Sequence, residues 1–213
     1  MNEVILAYSR LARQLPEVER ARWRARVQAV RTRPLSREAH AQSQSVLGVA
    51  LACHLLSSAS GRRVAPEELR YSMNGKPDSP GLPQFSIAHA GELVLCALSM
   101  HGTVGVDLEP LVSPRSLPRW LAVFDARERA AARSVRAALG IWTTKEAVLK
   151  AADGTLADLR QVRVRGRRVE FRGRRWHCRA LHLGARVIAR LVTDEPVTRL
   201  TVRALPIHSV LRA

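Results

Sequence analysis

The stretch FSIAHAGELVLCALSMHGTVGVDLE, residues 85–109, decides the fold of this 213-residue chain. It reads as apolar strands separated by glycine turns, and it ends in GVDLE. Because side chains alternate between the two faces of a strand, Asp107 and Glu109 point one way while Val106 and Leu108 point into a core. Two adjacent carboxylates repel each other unless a cation lies between them. A hard divalent ion such as Mg²⁺ satisfies oxygen ligands of this kind, so the stretch predicts a metal site on a strand.

A second stretch, WTTKEAVLK at residues 142–150, completes that pattern. It reads as a helix, and residues three or four apart share one helix face. Glu146 therefore supplies a third carboxylate, and Lys150 supplies a cation one turn further along. Three carboxylates with a neighbouring lysine predict a metal-assisted reaction on a phosphate or pyrophosphate.

Composition limits the classes of function. Apolar residues make up 46% of the chain, enough for one large domain or two small ones. No run approaches the roughly 18 apolar residues of a membrane span. The first residues, MNEVILAYSR, carry an acid too early for a signal peptide, and the three cysteines are far apart with no CxxC. We therefore predict a cytoplasmic protein with free thiols and no membrane contact.

The chain is strongly basic, with a formal net charge of +17. Such a charge attracts polyanions such as nucleic acid or acidic proteins, although an arginine-rich composition explains much of it. Only three of the 35 basic residues are lysines, namely Lys76, Lys145 and Lys150. Lys145 and Lys150 lie in the helical stretch, and Lys76 lies in the turn motif described next. This placement suggests sites that need a compact ammonium; the alternative is chance placement.

Two shorter motifs precede these stretches. Asn74-Gly75-Lys76-Pro77 is a turn in which glycine lets the backbone approach a ligand and Lys76 reaches a phosphate; alone, it equally describes an ordinary hairpin turn. His89 ends a short strand beside a glycine turn, where it can donate a hydrogen bond to phosphate. Residues 93–100 and 103–108 are expected to form a β-hairpin through His101-Gly102.

Taken together, the four motifs resemble the 4′-phosphopantetheinyl transferase superfamily, in its larger, surfactin-synthetase-activating type. The resemblance covers roughly residues 37–156. Helices followed by strands in both halves predict an α+β fold of two similar subdomains, residues 1–104 and 105–213. The resemblance implies a pseudo-twofold arrangement of these subdomains, with the active site at their interface.

The resemblance also implies the reaction. The 4′-phosphopantetheine group of coenzyme A passes to a serine of an acidic apo carrier protein, with Mg²⁺ or Mn²⁺, releasing adenosine 3′,5′-bisphosphate. A monomer with no specific nucleic-acid partner is expected. The implied metal ligands are Asp107, Glu109 and Glu146. The implied catalytic residues are Glu146, Lys150 and His89, with Glu146 taking the serine proton directly or through a water. The implied coenzyme A contacts are Arg37, Gly75, Lys76, Pro77, Ser86, His89, Asp107, Lys145 and Lys150.

The sequence departs from the family pattern at two places. Ala88 stands where the family usually has serine, and Asp153-Gly154-Thr155 stands where it usually has Gly-x-Gly. Two alternatives remain, a basic nucleic-acid-binding protein and an inactive carrier-binding relative. Four Trp, two Tyr and three Phe, with no nucleic-acid-binding signature, argue against the first. The complete set of carboxylates and Lys150 argues against the second.

Overall fold

The computed structural model describes residues 2–111 and 117–212. The chain divides into two compact units, residues 1–101 with 198–213 and residues 102–197. Each unit combines helices with a sheet, which confirms the predicted α+β class.

The helices are α1 (Glu17–Val30), α2 (Ala39–Ser60), α3 (Leu117–Leu121), α4 (Ala126–Ala131), α5 (Val135–Ala151) and α6 (Ile207–Leu211). The strands are β1 (Asn2–Arg10), β2 (Arg70–Tyr71), β3 (Pro77–Asp78), β4 (Gln84–Ala90), β5 (Leu93–Ser99), β6 (Val104–Pro110), β7 (Arg163–Arg165), β8 (Arg168–Phe171), β9 (Arg174–Leu181), β10 (Val187–Thr193) and β11 (Val197–Ala204).

The first unit packs helix α2 against a four-stranded sheet of order β11-β1-β5-β4. The Glu38 carboxylate accepts hydrogen bonds from the backbone N–H groups of His40 and Ala41, which caps the start of α2. Gly61, at a φ of 69°, ends the helix. A side chain at Gly48 would place its Cβ 2.5 Å from Cγ2 of Ile87, so the glycine allows close packing of α2 on β4.

The second unit packs helix α5 against a five-stranded sheet of order β6-β10-β9-β8-β7. The closest approach is at Gly105 on β6, where a Cβ would lie 2.0 Å from the carbonyl oxygen of Ala147. Only glycine fits between that strand and helix. This contact sets how closely α5 approaches β6, and further along the strand Asp107 and Glu109 lie beside Lys150 and Trp142 of the helix.

Two expectations about chain organisation are wrong. Strand β5 pairs with β1 and β4, and β6 pairs with β10, so no hairpin joins β5 to β6. Residues 198–213, assigned from sequence to the second subdomain, belong to the first unit, where β11 lies beside β1. Both errors concern which strands pair, and pairing depends on contacts between residues distant in the chain. The pseudo-twofold arrangement and the interfacial active site stay predictions.

Candidate active site

Strand β6 and helix α5 bring together the four acidic and basic residues predicted around the metal. Lys150 Nζ donates a hydrogen bond of 2.8 Å to Oδ1 of Asp107, whose side chain is only 10% exposed, whereas that of Lys150 is 33% exposed. Trp142 Nε1 donates to Oε1 of Glu109 at 3.2 Å. Glu146 lies on the same helix face as Lys150 and Trp142, one turn from each.

The pKa values of the three carboxyl groups are all raised. Burial raises the pKa of Asp107, and the nearby Lys150 opposes that rise. Burial, followed by the charge of Asp107, raises the pKa of Glu109. The same two causes raise the pKa of Glu146 to about 7. Three acids that disfavour one another's ionisation form a site in which an added cation is stabilised.

The donor set fits a divalent cation, although no complete metal site is formed. Asp107 Oδ2 is buried and has no hydrogen-bond partner within the described residues. An unpaired buried carboxylate oxygen is costly, and a hard cation would satisfy it. Across the described part of the chain, no three His, Cys, Asp or Glu side chains stand in metal-binding geometry. Lys150 donates to the other oxygen of Asp107.

Lys145 is not placed to bind a ligand, which corrects the coenzyme A contact expected of it. Its side chain is 1% exposed and lies 2.9 Å from Oε2 of Glu128, which is fully buried. It also donates to the backbone carbonyls of Leu159 and Val162. These three acceptors use all three ammonium N–H groups. Residues adjacent in a helix lie about 100° apart, so Lys145 faces away from the side that carries Glu146.

Ser86 and His89, two expected coenzyme A contacts, lie on the same strand in different environments. Ser86 on β4 is buried, at 4% exposed, whereas His89 is exposed. Residues an odd number apart in a strand point to opposite faces. The role of Ser86 in coenzyme A binding stays a prediction.

The other expected contacts of the first unit lie at its surface. Arg37 is exposed just before helix α2. Gly75 adopts a φ of +86° in the turn between β2 and β3, a conformation that favours glycine. Lys76 follows in that turn, and Pro77 opens β3. The roles of Arg37, Gly75, Lys76, Pro77 and His89 stay predictions.

Sequence reasoning missed two residues beside the carboxylates. Trp142 lies on the same helix face as Glu146, and the motif does not specify its hydrogen bond to Glu109. Arg190 on β10 lies directly opposite Asp107 in the strand register. The four-residue spacing of Trp142 and Glu146 is a sequence signal that Trp142 lies on the face of the carboxylates. No sequence signal reveals that Arg190 lies opposite Asp107, because strand pairing decides the register.

Comparison with known proteins identifies this part of the chain. Residues 103–195 match the family model described as the 4′-phosphopantetheinyl transferase superfamily. The match confirms, for this segment, the superfamily resemblance of the motifs. The matched segment runs from β6 to β10, so the superfamily match includes Asp107, Glu109, Glu146 and Lys150.

Curated relatives extend the comparison. The 4′-phosphopantetheinyl transferase AcpT of Escherichia coli strain K12 is 37% identical over 98 residues, which cover 41% of this chain and 50% of the relative. The AcpT of Salmonella typhi is 38% identical over 98 residues, with the same coverage. The chain thus spans about half the length of these transferases. No helix in the described residues has the length and apolar character to cross a membrane.

Proposed function

We propose that this chain transfers the 4′-phosphopantetheine group of coenzyme A to a serine hydroxyl of an apo carrier protein. The observation that supports this most strongly is the grouping of Asp107, Glu109, Glu146 and Lys150 on β6 and α5, inside the segment that matches the superfamily. Charged groups that converge in this way can bind and polarise a pyrophosphate.

In the proposed step the serine Oγ forms a bond to the phosphorus that carries pantetheine. The bond from that phosphorus to the oxygen of the departing adenosine 3′,5′-bisphosphate breaks, and the electron pair leaves with that oxygen. The serine proton goes to Glu146, directly or through one water. Burial raises the pKa of Glu146 to about 7 in the metal-free protein, and in its ionised form this carboxylate can accept the proton.

The remaining residues would orient the pyrophosphate group and neutralise its charge. Lys150, held by Asp107, would stabilise charge on the pyrophosphate oxygens, and His89 of the first unit would donate a hydrogen bond to the same group. Asp107, Glu109 and Glu146 would hold Mg²⁺, which supplies Lewis-acid neutralisation of the pyrophosphate when bound. Lys150 holds Oδ1 of Asp107, and Oδ2 of the same carboxylate is left for the metal.

The direct test is a mass measurement. The full chain is incubated with coenzyme A, Mg²⁺ and an apo carrier protein, and the carrier should gain the mass of one phosphopantetheine group. A carrier whose target serine is replaced by alanine is the control and should gain none. Binding of the carrier without any mass gain would identify an inactive relative and overturn the proposal.

Lys150→Arg should lower kcat at least about tenfold, equivalent to about 1.4 kcal/mol of transition-state stabilisation. Arginine keeps the charge, but its broad planar group cannot occupy the space of an ammonium 2.8 Å from a nearly buried Asp107 oxygen. Steady-state kinetics with the carrier would measure this. Unchanged turnover would mean that a compact ammonium is not needed at position 150.

Protons and Mg²⁺ should compete for the carboxylates. The folded-state pKa of Glu146 is raised to about 7, so between about pH 4.3 and 7 the folded protein binds more protons than the unfolded chain. Its contribution to stability therefore falls as pH rises through that window. Added Mg²⁺ should raise Tm by several degrees at pH 8. This increase should be at least about twice the increase in Tm at pH 5. Differential scanning fluorimetry measures both shifts.

The control for this experiment is a matched pair of charge-neutralising variants. Glu146→Gln should reduce both the pH dependence and the Mg²⁺ effect, whereas Glu170→Gln, at an exposed position on β8, should leave them unchanged. Equal Mg²⁺ effects at both pH values, or in both variants, would remove Glu146 from the proposed metal ligands.

Recognition of an acidic carrier protein should depend on salt. Arg127, Arg129, Arg133 and Arg136 are exposed along α4 and the start of α5. Long-range attraction is screened over about 10 Å at 0.1 M salt, so higher ionic strength should raise the carrier KM several-fold with less change in kcat. The double reversal Arg127→Glu with Arg133→Glu should have the same effect.

The matched control reverses Arg10 and Arg203, two exposed arginines of the first unit, and so produces the same net charge. If both double variants raise the carrier KM equally, the total charge rather than this surface controls recognition. If neither salt nor either pair of reversals changes KM, the positive charge plays no part in carrier binding.

A further inference from the structure

The second unit contains a cavity of about 740 Å³ whose lining does not include Asp107, Glu109, Glu146 or Lys150. A volume of this size suits a small organic molecule. Its lining includes the apolar residues Ile141 and Val164. Basic residues line it as well, namely Arg167, Arg179, Arg190, His177 and His182, of which Arg190 shares a sheet face with Ala180 and Cys178. Among the described residues that line the cavity, none is Asp or Glu.

Arg190 is the central basic residue of this cavity. It lies on β10 and is half-buried, and its guanidinium lies over Gly140 of helix α5. A Cβ at Gly140 would come within 2.8 Å of Nη2 of Arg190, so the glycine leaves the space that the guanidinium occupies. The thiol of Cys178 and the hydroxyl of Thr144, 3.6 Å apart, line the same cavity.

The charge of Arg190 is not neutralised within the described part of the chain. Its Nη1 donates to the backbone carbonyl of Ala189 at 3.1 Å, and no carboxylate lies within ion-pair distance. Asp107 stands opposite Arg190 in the strand register, but its hydrogen-bonded oxygen is held by Lys150. A guanidinium has five N–H donors in a planar fork, and burying such a group without an anion is costly.

We propose that this cavity binds a small organic anion, whose carboxylate or phosphate group pairs with Arg190 and whose apolar part lies against Ile141 and Val164. Arginine forms two parallel hydrogen bonds to either oxyanion, so both chemistries fit its fork. Arg167, in the turn that also lines the cavity, adds attraction for an anion. The site does not depend on the proposed transferase activity.

Binding is tested by NMR on the full ¹⁵N-labelled chain, without coenzyme A or metal. Inorganic phosphate and octanoate are titrated separately, because the first offers the charged group alone and the second adds an apolar tail. We expect saturable shift changes at the backbone amides of residues 140–144, 178–180 and 190. Arg190→Gln should raise Kd at least about tenfold, the effect of losing a charge-assisted hydrogen-bond pair.

Two further variants make the test decisive. Arg175→Gln removes the same charge from an exposed position on β9 outside this cavity and should leave Kd within about twofold, in the range of ordinary surface substitutions. Gly140→Ala keeps the charge but displaces the guanidinium, which is a flexible group, and alanine is a better helix former than glycine. Gly140→Ala should weaken binding without unfolding the protein. If Arg190→Gln does not fold, the Kd of Gly140→Ala alone tests whether binding needs the Arg190 guanidinium in this position.

The probes also distinguish the ligand. Tighter binding of octanoate indicates a carboxylate with an apolar body, and tighter binding of phosphate indicates a phosphorylated compound; either supports the proposal. Failure of both probes to saturate these amides would overturn it. Equal loss of affinity in Arg190→Gln and Arg175→Gln would also overturn it, since binding would then reflect net charge alone.

Discussion

Asp107→Asn is expected to lower the rate of phosphopantetheine transfer about a thousandfold, or about 4 kcal/mol of transition-state stabilisation. The substitution keeps the shape of a side chain that is only 10% exposed but removes its charge. It would therefore remove one proposed metal ligand and the partner that holds Lys150 at 2.8 Å. Single-turnover kinetics with an apo carrier protein would measure the loss.

Stability separates this effect from misfolding. Burial disfavours the charged form of Asp107, and its Oδ2 has no hydrogen-bond partner within the described residues. Neutralising it should therefore leave the free energy of unfolding unchanged or slightly increased in the absence of metal. Glu170→Gln is the charge-matched control and should retain full activity. A folded Asp107→Asn protein with normal turnover would show that the metal site lies elsewhere.

The second large effect concerns stability. Glu128→Ala should lower the free energy of unfolding by about 3–5 kcal/mol, because it leaves the buried Lys145 ammonium without its carboxylate. The Glu128 carboxylate also accepts hydrogen bonds from the backbone N–H groups of Val164 at 2.8 Å and Asp125 at 3.0 Å. Denaturant titration followed by tryptophan fluorescence suits this test, since Trp120, Trp142 and Trp176 lie in the second unit.

A double variant tests whether the loss comes from the unpaired charge. Glu128→Gln with Lys145→Met removes both charges while keeping similar volumes, and it should recover about half of the loss or more. Lys150→Met, which removes a lysine that is 33% exposed, should cost about 1 kcal/mol or less. If Glu128→Ala costs no more than Lys150→Met, the buried pair does not stabilise the second unit.

The comparison of Lys145 with Lys150 shows what local sequence could decide. Both belong to one nine-residue motif, and the scarcity of lysine suggested similar roles for them. Helix geometry alone places them on different faces, since positions five apart are about 140° apart around the axis. Which face meets solvent, and which meets Glu128, depends on how α5 packs against its neighbours.

The sequence by itself determined the α+β class and the grouping of Asp107, Glu109, Glu146 and Lys150. Strand alternation and helical spacing are local rules, and they place side chains on faces without knowledge of distant residues. The close approach of β6 to α5 was also encoded locally, in Gly105.

Only the tertiary structure decided which strands pair. It placed β11 beside β1, separated β5 from β6, and set Arg190 opposite Asp107. It also buried Ser86 and Lys145, which the motifs had suggested as ligand contacts. The physical reason is that pairing and burial depend on the total apolar surface removed from water and on hydrogen bonds between distant segments, neither of which any single stretch of sequence specifies.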